Sequence, residues 1–154
     1  MSTSTQVVDH SGLKVGQAAT ILLLVLAFIV QDTLGTLLVA FVALAQWLSG
    51  FDLPFAPYKL LYTKLIKPRG WVKPNPQPDH SAPHRFALIV GALFNTVATL
   101  ALLSGAPALG WGLVWVVIIL ANLNFWLNFC LGCWMYYQLN KLGIPGFIYS
   151  PVQK

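Results

Sequence analysis

FALIVGALFNTVATLALLSGAPALGWGLVWVVIILANLNFWLNFCLGCWMYYQLN, residues Phe86 to Asn140, carries no charged side chain. A bilayer core of about 30 Å takes roughly 20 helical residues, so this run is too long for one membrane span and suits two. Ser104-Gly105-Ala106-Pro107-Ala108-Leu109-Gly110 in its middle supplies a turn. Spans are therefore expected near 86–104 and 109–137. The second exceeds what a bilayer needs, so it must tilt or project from the membrane.

The rest of the chain extends the pattern toward the N-terminus. Hydrophobic residues make up 57% and charged residues 8% of the 154. A soluble core of this size could not hide that much apolar surface, which makes the bilayer the expected solvent. Two further spans are read near 13–31 and 33–51, separated by Gln31-Asp32, with Lys14 able to snorkel at the start of the first. Met1 to Ser11 has no basic n-region, so the first apolar run reads as a span and not as a cleaved signal. The expected fold is all-α: an integral membrane four-helix protein, residues 1–154 forming a single transmembrane domain.

Between the second and third spans lies a basic loop, 57–85. Tyr58 to Leu65 (YKLLYTKL) can turn Leu60, Leu61 and Leu65 to acyl chains while Lys59, Lys64 and Lys67 reach phosphates, which predicts an interfacial helix. Lys67 to Pro78 (KPRGWVKPNPQP) has four prolines and no periodicity, and reads as loop. Lys59, Lys64, Lys67, Arg69, Lys73 and Arg85 all fall in this connection, whereas the other two turns carry only Asp32. By the positive-inside tendency the loop and both termini are cytoplasmic. The net charge of +5 is thus read as topology and lipid binding, and no nucleic-acid partner is expected.

Asp9-His10-Ser11 precedes the first span and Asp79-His80-Ser81 the third. Each heads a pair of spans followed by a segment rich in Tyr, Leu and Lys, YKLLYTKL in one half and YYQLNKL in the other. This points to a 2+2 parallel repeat.

Chemistry is concentrated in Asn128-Phe129-Cys130-Leu131-Gly132-Cys133-Trp134-Met135-Tyr136-Tyr137, which holds both cysteines of the chain. Read as a continuation of the fourth span, this stretch puts Asn122, Trp126, Cys130, Cys133 and Tyr137 on one helical stripe at the cytoplasmic end. A helix C-terminus disfavours a thiolate, so activation would need a cation such as Lys141, or His80 or His84 approaching from the loop. Trp134 stands where haem attachment needs a histidine. Three readings stay open: a pair cycling between dithiol and disulfide or carrying sulfur, a metal site of Cys130, Cys133, His80 and His84, or thiols that merely pack. In the first, Cys133 would be the exposed attacking thiol and Cys130 the resolving one. Asn122, Trp126, Tyr137, His80 and His84 would line the site, with a quinone as a candidate cofactor. The bland reading of Asp79-His80-Ser81 is a helix cap, and that of the asparagines is interhelical bonding. No Gly-rich phosphate loop, paired carboxylates or mid-span acid is present, which argues against nucleotide chemistry and ion-coupled transport.

The Pro-His-Arg-Phe-Ala entry at Pro83–Ala87, the Phe-Cys-Leu-Gly-Cys-x-Met-Tyr run at Phe129–Tyr136 and the basic loop together resemble an uncharacterised bacterial integral membrane family, domain of unknown function 4395. The resemblance covers most of residues 9–142, with Trp134 departing from the smaller or acidic residue expected there. It implies a small four-span protein of the bacterial inner membrane, associated with thioredoxin-like and sulfurtransferase proteins. Thiol redox or sulfane-sulfur handling is the function it suggests. A non-catalytic accessory subunit of a larger membrane complex, its aromatic-rich helices filling gaps between partners, is the alternative.

Overall fold

The computed structural model describes residues 6–147. Among the described residues, four helices are long and apolar enough to cross a membrane: α1 His10–Val30, α2 Thr33–Gly50, α4 Ser81–Leu103 and α5 Pro107–Leu127. The all-α membrane architecture read from the sequence is the architecture found. The α1–α2 turn is short because Gln31 adopts a left-handed conformation (φ 56°) and the Asp32 carboxylate caps α2 through the Leu34 amide. α2 packs most extensively on α4, while α5 closes the bundle against α1 and α4. Leu24, Ala27, Val39, Val42, Ala98, Val114, Val117 and Ile118 form its buried centre.

Without a hydrophobic drive between helices in lipid, close contact and polar bonds hold such a bundle together. Asn95 Nδ2 donates to Gln46 Oε1 at 2.9 Å in the bundle interior, and Trp47 Nε1 donates to Thr96 Oγ1 at 3.1 Å. Arg85 Nε reaches the Gly50 carbonyl at 2.9 Å, tying the end of α2 to the start of α4.

Three features differ from the sequence reading, and all lie at the same end of the bundle. First, two four-residue strands, β1 Gln6–Asp9 and β2 Pro76–Asp79, pair antiparallel with Gln6 opposite Asp79 and Asp9 opposite Pro76. Prolines at alternate positions 76 and 78 leave the intervening amides for the ladder, which is how a proline-rich segment sits in a two-stranded ribbon. Second, α4 starts at Ser81, not Phe86, because Pro83 falls in the first turn, where its missing N–H costs nothing. Third, the fourth span stops at Leu127, not at Tyr137. Asn128 takes a left-handed conformation (φ 52°), which asparagine tolerates better than most residues, and a separate helix α6, Leu131–Lys141, begins after it.

The stretch read as an interfacial helix is helical, as α3, Pro57–Leu60, continued by a π-helical turn, Leu61–Ile66. Lys59, Lys64 and Lys67 are exposed. Tyr58 and Tyr62 point the other way and are buried against Gly16 and Gly12 of α1. Each half of the chain therefore runs strand, two long helices, short helical segment.

Candidate functional site

Pairing of β1 with β2 brings the two Asp-His-Ser motifs together. Asp79 Oδ2 accepts from His10 Nε2 at 3.1 Å and from His84 Nε2 at 3.0 Å. Its other oxygen accepts from the His80 amide at 2.7 Å. Partial burial works to raise the Asp79 pKa, but the His84 hydrogen bond, the His80 amide and the two imidazoles outweigh it and hold the carboxyl below its ordinary value. An ionised carboxylate only accepts, so each neutral histidine carries its proton on Nε2 and leaves Nδ1 as an acceptor.

His84 Nδ1 lies 3.5 Å from Cys133 Sγ. Asp79, His84 and Cys133 thus form a line from a carboxylate through an imidazole to a sulfur. Cys130 and Cys133 are joined as a disulfide, their Cα atoms 5.1 Å apart. Cys130 is the N-cap of α6, and its Sγ accepts from the Cys133 amide at 3.2 Å. The sequence reading placed the pair at a helix C-terminus, and the break at Asn128 reverses this. At a helix N-terminus, free N–H groups and the dipole favour a thiolate. The expected order of exposure is reversed as well: Cys133 is 8% exposed and Cys130 is half-buried.

Cys130 and His84 both face a cavity of about 700 Å³ that runs down between α1, α2, α4 and α5. Its wall is mainly apolar, with Leu88, Phe94 and Val117 among the contributors, and Gln17, Gln46, Ser49 and Asn124 add polar groups. Gln17 Oε1 and Ser49 Oγ are buried there with no hydrogen-bond partner among the described residues. Lys59 and Lys67 border the cavity on the ribbon side.

Of the residues singled out in the sequence, the structure brings together Cys130, Cys133 and His84. Asn122 bonds the Ile118 carbonyl of its own helix, and Trp126 is 74% exposed, so neither lines the site. Both were assigned on the assumption of one unbroken helix. Asn124 is the asparagine at the cavity wall. Tyr137 lies near the cluster: burial, then the Asp79 carboxylate and Tyr136, push its hydroxyl pKa up. His80 is the N-cap residue of α4 but makes no side-chain cap bond, and it falls outside the close groups of potential ligands. Asp79, read as part of a helix cap, and His10, read only as part of a repeated triplet, belong to the cluster instead. The repeated Asp-His-Ser triplet was the signal that could have found them.

No curated protein and no solved structure matches the chain. A family model does match, over residues 8–141, which include the end of β1, all of β2, the four spans and the cysteine pair. Its description is a domain of unknown function, DUF4395, and the chain belongs to that family.

Proposed function

We propose that the protein is a membrane thiol–disulfide redox component in which Cys130 and Cys133 cycle between dithiol and disulfide. The observation that carries this reading is the pair's position at the head of α6, with Cys130 at the cavity wall and Cys133 backed by His84 and Asp79.

Cys130, capped by a backbone amide and the more exposed of the two, is the attacking thiolate. It displaces one sulfur of a substrate disulfide, forming a mixed disulfide and releasing the first substrate thiolate. Cys133 passes its proton to His84 Nδ1 and attacks Cys130 Sγ. The second substrate thiolate then leaves and the internal disulfide closes. Sulfane-sulfur chemistry follows the same course. A persulfide donor gives its outer sulfur to Cys130 and departs as a thiol, and Cys133 then displaces that sulfur as hydrosulfide.

A thioredoxin-like or sulfurtransferase protein meeting the ribbon end suits the first exchange. The same exchange run in reverse, with the dithiol of a thioredoxin-like protein as electron donor, returns the pair to the dithiol. The apolar cavity then suits a quinone as an alternative oxidant to the substrate disulfide, taking two electrons and two protons from the dithiol to give a quinol and the internal disulfide. With the basic loop inside, this chemistry faces the cytoplasm.

The test is differential alkylation of membranes with an impermeant maleimide applied from each side. Cys130 is expected to label first in the reduced wild type, from the loop side, and to stop labelling after mild oxidation. Cys133→Ser should trap a mixed disulfide through Cys130. Thiols that react only after detergent unfolding would overturn the redox reading and leave an accessory membrane subunit as the better account.

A further inference from the structure

We propose that in the dithiol state Cys130, Cys133 and His84 form a three-ligand site for a soft divalent metal such as Zn²⁺, with its fourth position open to the cavity. The inference stands whether or not the pair exchanges electrons with a partner.

Three donor atoms, the two Sγ and His84 Nδ1, lie within 4.8 Å of one another. In a tetrahedral zinc site with Zn–S near 2.3 Å and Zn–N near 2.0–2.1 Å, sulfur and nitrogen stand about 3.6 Å apart. Cys133 Sγ and His84 Nδ1 are 3.5 Å apart, already the edge of such a tetrahedron. Reduction frees the two sulfurs to separate to the sulfur–sulfur edge of about 3.8 Å implied by the same bond lengths.

The surroundings match as well. A ligating histidine almost always donates its other ring N–H to a carboxylate, a backbone carbonyl or water, which fixes the tautomer and aims the lone pair. His84 does this through Nε2 to Asp79, leaving Nδ1 turned toward Cys133. The Cys133 amide bonded to Cys130 Sγ would spread charge off the coordinated thiolate. Because Cys130 and His84 both border the cavity, the remaining coordination position faces it and can take water or a thiolate. Two sulfurs, one imidazole and an exchangeable ligand form the donor set of a catalytic zinc site. Closing the disulfide removes both thiolates, so oxidation expels the metal.

The test uses the full-length protein in nanodiscs, reduced with a phosphine and titrated anaerobically with Co²⁺. One equivalent should bind with thiolate-to-cobalt charge transfer and the intense visible bands of tetrahedral cobalt, and Zn²⁺ should displace it. Asp79→Asn should weaken affinity by about 10–100-fold, His84→Gln should lose the tetrahedral spectrum, and His80→Ala should leave both unchanged. X-ray absorption of the zinc-loaded wild type should give two sulfurs and two lighter ligands, a readout independent of any variant's folding. Absence of stoichiometric cobalt binding, equal binding by the disulfide form, or a shell without two sulfurs would overturn the site. Dithiol cycling measured without metal reports separately on the redox reading.

Discussion

The two halves of the molecule start alike and diverge in what their aspartates hold. In the first half Asp9 takes the Tyr62 hydroxyl, the Asn75 amide and the Ser11 amide, and the closing segment packs tyrosine rings onto Gly12 and Gly16. In the second half Asp79 takes two imidazoles, and the closing segment brings a pair of cysteines. Counted from each Asp-His-Ser, Lys14 stands five residues after Asp9 and His84 five after Asp79. One scaffold, used twice, therefore clamps with phenols on one side and assembles donor atoms on the other. The difference separates residues that hold the bundle from residues that can do chemistry.

Substitution of the cysteines should break this comparison most visibly. Cys130→Ser and Cys133→Ser are each expected to abolish dithiol–disulfide cycling, read by alkylation mass shift, while leaving helical content unchanged by circular dichroism. Tyr58→Phe, the substitution on the opposite side, should leave cycling intact. A cycling defect in Tyr58→Phe as large as that of the cysteine variants would mean that the halves are not functionally distinct.

Next in size is the close approach of α6 to α4. A Cβ on Gly132 would sit 2.6 Å from Ala87 Cβ and 2.7 Å from Ala87 Cα, where little can move aside. Gly132→Ala should push α6 off α4 at a cost of about 1–3 kcal/mol. Cys133 should then become as reactive to maleimide as Cys130. The matching change in the first half is Gly12→Ala, whose Cβ would meet the Tyr62 ring at 3.2 Å. That ring can give by a few tenths of an ångström, so the shift in melting temperature should be smaller and the cysteines should stay protected.

How much of this could be read in advance depends on what kind of signal each feature leaves. The spans follow from apolar runs cut by Asp32, by Asp52 with its flanking prolines, and by Ser104–Pro107, and local hydropathy is enough to see them. The break after Leu127 leaves no such mark, because Asn128-Phe129-Cys130 contains neither proline nor glycine and hydropathy runs straight through it. With that break missed, the helical stripe through Asn122 and Trp126 and the sign of the dipole at the cysteines were wrong together. The ribbon was hidden for another reason: two four-residue strands nearly seventy residues apart, one with two prolines, have no local signature. His84 could be named as a candidate because it is near the cysteines in kind and side of the membrane. For His10 the one clue was the repeated Asp-His-Ser triplet, and its meeting with Asp79 follows only from the strand pairing that the sequence hides.

The smallest effect sharpens the comparison through pH. Burial, the hydrogen bond to Asp9 and its negative charge push the Tyr62 pKa up to about 12 from 10.0. On Asp9, burial works upward, but the Tyr62 hydroxyl, the two amides and Lys67 hold its carboxyl below the ordinary 3.8. Because the folded Tyr62 pKa is raised, its contribution to stability is fully present below pH 10 and is lost as pH rises toward 12. Asp9 is depressed, so its contribution is present above the ordinary carboxylate range and is lost as pH falls through the folded value. The melting temperature of the detergent-solubilised protein should therefore decline between pH 10 and 12, and Tyr62→Phe should flatten that decline. At neutral pH the same variant should cost about 1 kcal/mol, below the usual range for a hydrogen bond to a charged group because Asp9 is partly solvated. Cysteine reactivity at neutral pH should be unaffected. A Tyr62→Phe protein with wild-type pH dependence would show that the Asp9–Tyr62 clamp does not hold the first half together. The stabilising role assigned to that half would then rest on the Tyr58–Thr20 bond, the amides held by Asp9 and the ring packing on Gly12 and Gly16.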